Sequence, residues 1–367
     1  MLELAEVFRR YGATYRDKFG ERMLPSHRRA MRDIEDCRTE TLGGHVYICG
    51  DCDEVRYSYH SCKNRHCPKC QHEAGERWLD RQQGLRLPVP YFLLTFTLPQ
   101  QLREVARRHQ RTVYGLLFRA SAAAVQQLAH DRRFIGGQIG MVGVLQTWAR
   151  DLSYHPHVHY LVAGGGLAED GRTWVPAREG FFLPVKALSI MFRAKFRDGL
   201  NRAEWFSEVP EEVWQRDWVV HCQPVGDGQA ALKYLAPYIF RVALGNGRLR
   251  RLAGGRVTFT FRDSASGAER ACTLEAEEFI RRFLQHVLPK GLVKVRYYGL
   301  FSGKKRLLLA RVRGILGGAR LPARASATVR SETVGLRCPR CGEEMRRVER
   351  LEPRGPPPLR EGIRWAA

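Results

Sequence analysis

The stretch HPHVHYLVAGGG, residues 155–166, sets three histidines within five residues ahead of an apolar run. Alternate side chains of an extended strand share a face, so His157 and His159 point the same way while Val158 points into a core. Two imidazoles at that spacing can hold one divalent cation and leave coordination positions open. They can equally be polar residues of a solvated strand. His155 precedes Pro156 in a predicted turn and is the poorer ligand. Gln146 is the best-placed third ligand if residues 140–148 pair with 157–164. Its carbonyl oxygen suits Mg²⁺ or Mn²⁺ better than Zn²⁺. The alternative is a strand residue that satisfies its own hydrogen bonds. A nucleophile is then needed. In QAALKYLAPYIFR, Tyr234 and Tyr238 are four residues apart, a spacing that puts both phenols on one helix face. A packed aromatic stripe has the same spacing. Next to a histidine metal strand in a basic chain, the pair points instead to phosphotyrosine chemistry.

A second set of metal-binding residue types lies nearer the N-terminus. Residues 30–75 hold six of the ten cysteines. Cys49-x2-Cys52 and Cys67-x2-Cys70 form two knuckles whose thiolates are expected to complete one tetrahedral Zn²⁺ site. Cys37 and Cys62 remain, with His45, His60, His66 and His72 nearby, and could build a second zinc site with one or two of those histidines. Tyr57, Tyr59, Arg65 and Lys69 lie among the ligands and are either surface residues or DNA contacts. Cys338-Pro-Arg-Cys341 is a further knuckle with no downstream partner; it needs distant ligands or a second chain, or it is a remnant.

Composition narrows the partners. Lys and Arg number 61 against 38 Asp and Glu, a formal net charge of +23. That excess favours a polyanion, most commonly nucleic acid. No apolar stretch of roughly 18 residues appears, so no membrane span is expected. The N-terminus lacks a signal peptide's apolar core, which makes the cytoplasm the expected compartment, with cysteines used for metal rather than disulfides.

The elements that must position these groups divide into five segments. They are an N-terminal helical segment at 1–29, with one amphipathic helix over 1–25, a metal-stapled module at 30–75, a charged helical linker at 76–89, a larger domain at 90–317, and a basic tail at 318–367 carrying the last knuckle. Within the larger domain, strands are predicted at 91–98, 140–148, 157–164, 218–225, 256–262 and 293–298. A small hairpin is expected near 173–185. Helices are expected over 100–130, 186–204, 229–241 and 275–287. A few-stranded sheet interleaved with helices is an α+β arrangement.

Taken together, several segments resemble the IS91 group of transposases, within the HUH (His-hydrophobic-His) endonucleases. They are HSCKNRHCPKCQ, FLLTFTLP, LQTWARDLSYHPHVHYLVAGGG, YLAPYIFRVALGNGRL and FIRRFLQHVLPKGLVKVRYYG, which span nearly the whole chain. The resemblance implies a ferredoxin-like antiparallel sheet with helices packed on one side, beside an N-terminal zinc module. It implies that His157 and His159 bind the divalent cation, with Gln146 where relatives often have His, and that Tyr234 and Tyr238 are paired nucleophiles. The implied activity is nicking and rejoining of single-stranded DNA through a 5′-phosphotyrosine, without ATP, in rolling-circle-like transposition at transposon ends and target. A nucleoid-associated enzyme of the bacterial cytoplasm follows. Two features depart from the pattern: Pro237 lies between the tyrosines, and Gly245 stands where Ser is expected. Lys233 and Arg241 either lower a phenol pKa or simply contact phosphate. Lys290, Lys294 and Arg296 are candidate backbone contacts, with Tyr297 and Tyr298 either stacking on bases or packing in the core. A plasmid-type replication initiator or relaxase would use the same chemistry. A non-catalytic zinc-dependent DNA-binding protein would need none of it.

Overall fold

The structure is a computed structural model in which residues 2–71, 87–227, 243–263, 266–317 and 336–354 are described. Tyr234, Tyr238, Lys233 and Arg241 lie outside the described residues, as does most of the predicted linker. The N-terminal part runs α1 (Leu4–Phe19), α2 (Pro25–Glu35), β1 (Gly44–Cys49) and β2 (Val55–Tyr59). The larger part follows with β3 (Tyr91–Thr97), α3 (Arg103–Arg108), α4 (Gln110–His130), β4 (Gly140–Trp148), β5 (Tyr154–Ala163), β6 (Gly165–Leu167), β7 (Trp174–Pro176), α5 (Val185–Leu200) and β8 (Val220–Pro224). After these come β9 (Leu249–Ala253), β10 (Arg256–Arg262), β11 (Glu269–Glu275), α6 (Ala276–Leu284), β12 (Val295–Gly299), α7 (Arg306–Ile315) and β13 (Met345–Leu351).

The centre is a five-stranded antiparallel sheet in the order β12-β4-β5-β3-β8. Its strands are rich in Val, Leu, Phe and Tyr, which suit a pleated surface buried on both sides. One face carries Phe92, Leu94, Phe96, Val158, Tyr160 and Val162, and packs on the long helices α4 and α5. The opposite face carries Val142, Val144, Leu161 and Ala163, under Leu309 and Val312 of α7. Gly143 lets the sheet close around Tyr160, its partner across β4 and β5. A Cβ there would lie 2.5 Å from the Tyr160 ring. Among the described residues this is a mixed helical and antiparallel-sheet architecture, as the α+β expectation has it.

Three differences from the sequence reading have identifiable structural causes. The predicted single helix over 1–25 is two helices. Proline has no N–H to continue α1's ladder but fits the first turn of a new helix, and Pro25 starts α2. The expected hairpin at 173–185 does not form. β7 pairs with β6, while Phe182 turns inward to stack on Phe92 at 5.2 Å. Third, residues 336–354 of the predicted basic tail carry an unpredicted strand, because β13 pairs antiparallel with β1 to give the sheet β13-β1-β2.

The N-terminal helices are not a free-standing segment. Leu4, Val7, Phe8, Met31 and Ile34 share a core with Phe259 of β10 and with Phe279, Ile280 and Phe283 of α6. Phe8 meets Phe283 edge-on at 5.5 Å, and Lys18 reaches Glu277 at 2.6 Å. Strands β9 and β11, both unpredicted, flank β10 in a second three-stranded sheet.

Candidate active site and zinc centres

His157 and His159 stand on β5 on the face shared with Leu161 and Ala163, at the polar end of an otherwise apolar surface. Strand register brings their neighbours. Gln146 on β4 is opposite His157, and Thr97 on β3 flanks it on the other side. Thr95 is opposite His159. Directly paired residues across a sheet project to the same face, so Gln146, His157, His159, Thr95 and Thr97 converge. All but Thr95 are buried, with Gln146 4% exposed and each histidine 8%. The two rings lie 4.7 Å apart, nearly perpendicular.

A hydrogen bond fixes which nitrogen the His157 ring presents. His157 Nδ1 is 2.6 Å from the His155 carbonyl, which can only accept. Nδ1 therefore carries the proton, and the neutral ring presents a lone pair at Nε2. His159 Nδ1 lies 2.9 Å from the Thr95 hydroxyl, which can serve the same purpose. Burial depresses the His157 pKa to about 4 and holds His159 well below its ordinary value. Both rings are thus neutral at pH 7, the form that ligates metal.

His155 faces another group. Arg103 donates to its Nδ1 at 2.6 Å, so the neutral ring carries its proton on Nε2. Beside it opens a polar cavity of about 850 Å³ lined by Arg103, Arg107, Asp151, Tyr154, Arg281 and Arg282. Arg281 and Arg282 both pair with Glu278, and Arg107 lies over the Tyr154 ring at 5.6 Å. The sequence reading missed these arginines because they come from separate helices. It also missed His221 on β8. Register puts that histidine opposite Thr95 and so on the His159 face, exposed at the sheet edge. No local spacing signals it, since Thr95 sits between the two histidines.

The other predicted basic residues diverge. Lys290 is exposed, and its carbonyl accepts from Arg111 at 2.6 Å. Lys294 lies over the Trp148 ring at 5.2 Å, and burial lowers its pKa to about 7. Arg296 lies over Phe118 at 4.3 Å. Tyr297 and Tyr298 are half-buried on opposite faces of β12. Tyr297 packs beside the α7 core, and the Tyr298 ring lies 6.0 Å from Tyr160.

The cysteines require a correction. Cys49 and Cys52 do not share a site with Cys67 and Cys70. One cluster is Cys37, Cys62, Cys67 and Cys70, and the other is Cys49, Cys52, Cys338 and Cys341. β1 and β2 form a hairpin with Cys49 and Cys52 at its tip. A five-residue strand such as β2 rises about 17 Å, which carries that tip away from Cys62 at the hairpin's base. Cys37 and Cys62 are completed by cysteines, not by the expected histidines. His66 accepts instead from the Leu288 backbone N–H at 3.3 Å, and His45 packs on His60 with rings 5.1 Å apart. In the first cluster the sulfur separations from Cys37 to Cys67, Cys37 to Cys70 and Cys62 to Cys70 are all 3.6 Å. Four thiolates on one Zn²⁺ at about 2.3 Å would stand about 3.8 Å apart, so this donor set fits that ion. Among the described residues these two are the only groups of three or more His, Cys, Asp or Glu side chains close enough to share an ion.

Comparisons with known proteins bear on the same regions. A family model described as "Transposase zinc-binding domain" matches residues 7–98, and one described as "Putative transposase" matches residues 140–307. The "Putative transposase y4qJ" of Sinorhizobium fredii (strain NBRC 101917 / NGR234) is 40% identical, covering 86% of this chain and 84% of its own length. The transposase for insertion sequence element IS801 of Pseudomonas savastanoi pv. phaseolicola is 28% identical over 75% of this chain and 72% of its own. No solved structure matches.

Proposed function

Because this chain belongs to the IS91 family of transposases, we propose that it nicks and rejoins single-stranded DNA through a 5′-phosphotyrosine intermediate, in rolling-circle-like transposition. The observation that carries this reading is the buried, neutral histidine pair, anchored through Nδ1 beside Gln146. We read the five-stranded sheet, with α4 and α5 on one face, as the ferredoxin-like HUH plan.

In this scheme Nε2 of His157 and of His159 and the amide oxygen of Gln146 would hold a divalent cation, Mg²⁺ or Mn²⁺. That cation supplies Lewis-acid polarisation of the scissile phosphate. Thr95 and the His155 carbonyl keep the rings in the ligating tautomer. The phenol oxygen of Tyr234 or Tyr238 attacks phosphorus in line, forming a tyrosine–phosphate ester as the bond to the 3′ oxygen breaks. The phenol's proton is lost and the departing oxygen leaves as a 3′ hydroxyl. A phenol with a pKa of about 10 needs nearby positive charge to react at neutral pH, which Lys233 and Arg241 can supply. The ester conserves the energy of the broken bond, so the second tyrosine or a 3′ hydroxyl can rejoin the strand without ATP. The arginines of the cavity beside His155 and the exposed Lys290 suit the DNA backbone. Lys294 and Arg296 instead lie over aromatic rings. The Cys37 cluster holds structural Zn²⁺, and the enzyme works in the cytoplasm at the nucleoid.

The test is a covalent adduct. Intact protein is incubated with single-stranded transposon-end DNA and Mg²⁺ or Mn²⁺, then resolved on a denaturing gel. An adduct is expected, lost in the Tyr234→Phe/Tyr238→Phe double variant and surviving in whichever single variant keeps the attacking phenol. Protein that binds the DNA but forms no adduct would be a binding protein without this chemistry.

A further inference from the structure

We propose that Cys49, Cys52, Cys338 and Cys341 bind a second Zn²⁺ that joins the N-terminal module to the C-terminal segment as one zinc ribbon. The family match to a zinc-binding domain ends at residue 98 and so excludes half of these ligands. The geometry is that of a mononuclear site. Cys49 and Cys341 sulfurs are 3.4 Å apart, Cys52 and Cys338 3.5 Å, and Cys52 and Cys341 3.7 Å. Tetrahedral thiolates at about 2.3 Å from Zn²⁺ would be about 3.8 Å apart. A disulfide would require about 2.05 Å. Thiolates of an iron–sulfur cluster sit on different iron atoms and would spread further.

The backbone repeats itself at the two knuckles. Cys49-x2-Cys52 is followed by Asp53 at φ 54°, and Cys338-x2-Cys341 by Gly342 at φ 83°. Each left-handed residue turns the chain back directly after its second cysteine. The Arg340 N–H points at the Cys338 sulfur at 3.4 Å, as the Asn64 N–H does at Cys62 in the other cluster. Such N–H donors stabilise thiolate. Strand pairing delivers the knuckles to each other, since Cys49 ends β1 opposite Met345, the first residue of β13.

Beyond the β1–β13 pairing and an exposed Arg354–Glu40 ion pair, little holds residues 336–354. Their core consists of Cys49, Cys338 and Met345, with Tyr47, Cys52 and Leu336 packed around them. An apolar cluster of that size does not fold a segment, whereas zinc coordination does. Loss of this ion should therefore free the C-terminal segment while the Cys37 cluster, buried in the core of α1, α2 and α6, stays intact.

The experiment uses the full zinc-loaded chain. Elemental analysis should give two zinc ions per chain, and one in the Cys338→Ser/Cys341→Ser variant. A wild-type measurement stands independent of how that variant folds. Cys341 is exposed, yet iodoacetamide should leave it unmodified until a chelator is added. Cys338 and Cys341 should then alkylate, and a protease should cut within residues 336–354. Immediate alkylation of Cys341 in the zinc-loaded chain, a Cys49–Cys341 disulfide in its peptide map, or unchanged zinc content in the double variant would each overturn the proposal.

Discussion

Burial of the histidine pair has a measurable consequence for cation binding against pH. Protons compete with metal for an imidazole, so affinity falls as pH drops below the ring's own pKa. A solvated histidine with a pKa of about 6.5 is protonated roughly 30-fold over its neutral form at pH 5, and two such ligands would cost about 1,000-fold in affinity. Here the sign of the shift protects the site. Burial lowers the His157 pKa to about 4 and moves His159 in the same direction. At pH 5 only about one-tenth of His157 is protonated. We predict that Mn²⁺ binds with nearly the same Kd at pH 7 and pH 5, within about twofold. The assay is a titration of zinc-loaded protein in which free Mn²⁺ is read by electron paramagnetic resonance. The His157→Ala/His159→Ala variant gives the background. A weakening of about a hundredfold or more between those pH values would show two solvated rings and refute the reasoning.

Removing the anchor of one ring should have a different signature. Thr95→Val should keep the fold but remove the hydroxyl bonded to His159 Nδ1, so Mn²⁺ affinity should fall about tenfold or more with the melting curve nearly unchanged. Gly143→Ala puts a Cβ 2.5 Å from the Tyr160 ring. Overpacking there should cost about 1–3 kcal/mol, seen as a lower urea midpoint. Acid stability should also decline early. His157 and His286 fold with pKa values of about 4. The unfolded chain binds their protons first, so stability is complete above about pH 6.5, the unfolded imidazole value, and falls as pH drops from there toward 4. A urea midpoint that stays flat over that window would contradict the burial of both rings.

The placement of the histidine pair was legible because its information is local. A period of two put His157 and His159 on one face, and the short turn between β4 and β5 fixed the register that brings Gln146 opposite His157. The strands and long helices of the larger part were legible for the same reason, through apolar runs and helical spacing. The cysteine pairing was not. The spacing C-x2-C identifies a knuckle but does not say which knuckles share an ion. That is decided by β1 pairing with β13 across nearly the whole chain, and by a hairpin that separates Cys49 from Cys67. β11 escaped notice because ERACTLE is largely solvent-exposed and shows little apolar patterning. His221 depends on sheet order, which no local pattern encodes.

The Cys37 cluster and the histidine pair are mechanically connected. Between Cys62 and Cys67 the chain presents Arg65, which donates to the carbonyls of Leu292, Leu288 and Pro289 at 2.6, 3.3 and 2.8 Å. His66 takes the Leu288 N–H. The gripped segment leads within a few residues into β12, the edge strand that pairs with β4, and β4 carries Gln146. A cysteine cluster that fixes Arg65 and His66 therefore also fixes the entry of an edge strand, which would otherwise be the least constrained part of the sheet. The fusion of α1 and α2 to α6 works toward the same end, since α6 immediately precedes the gripped turn. The Cys37 cluster and the histidine pair thus share one scaffold, which holds the two neutral rings buried and in a fixed orientation.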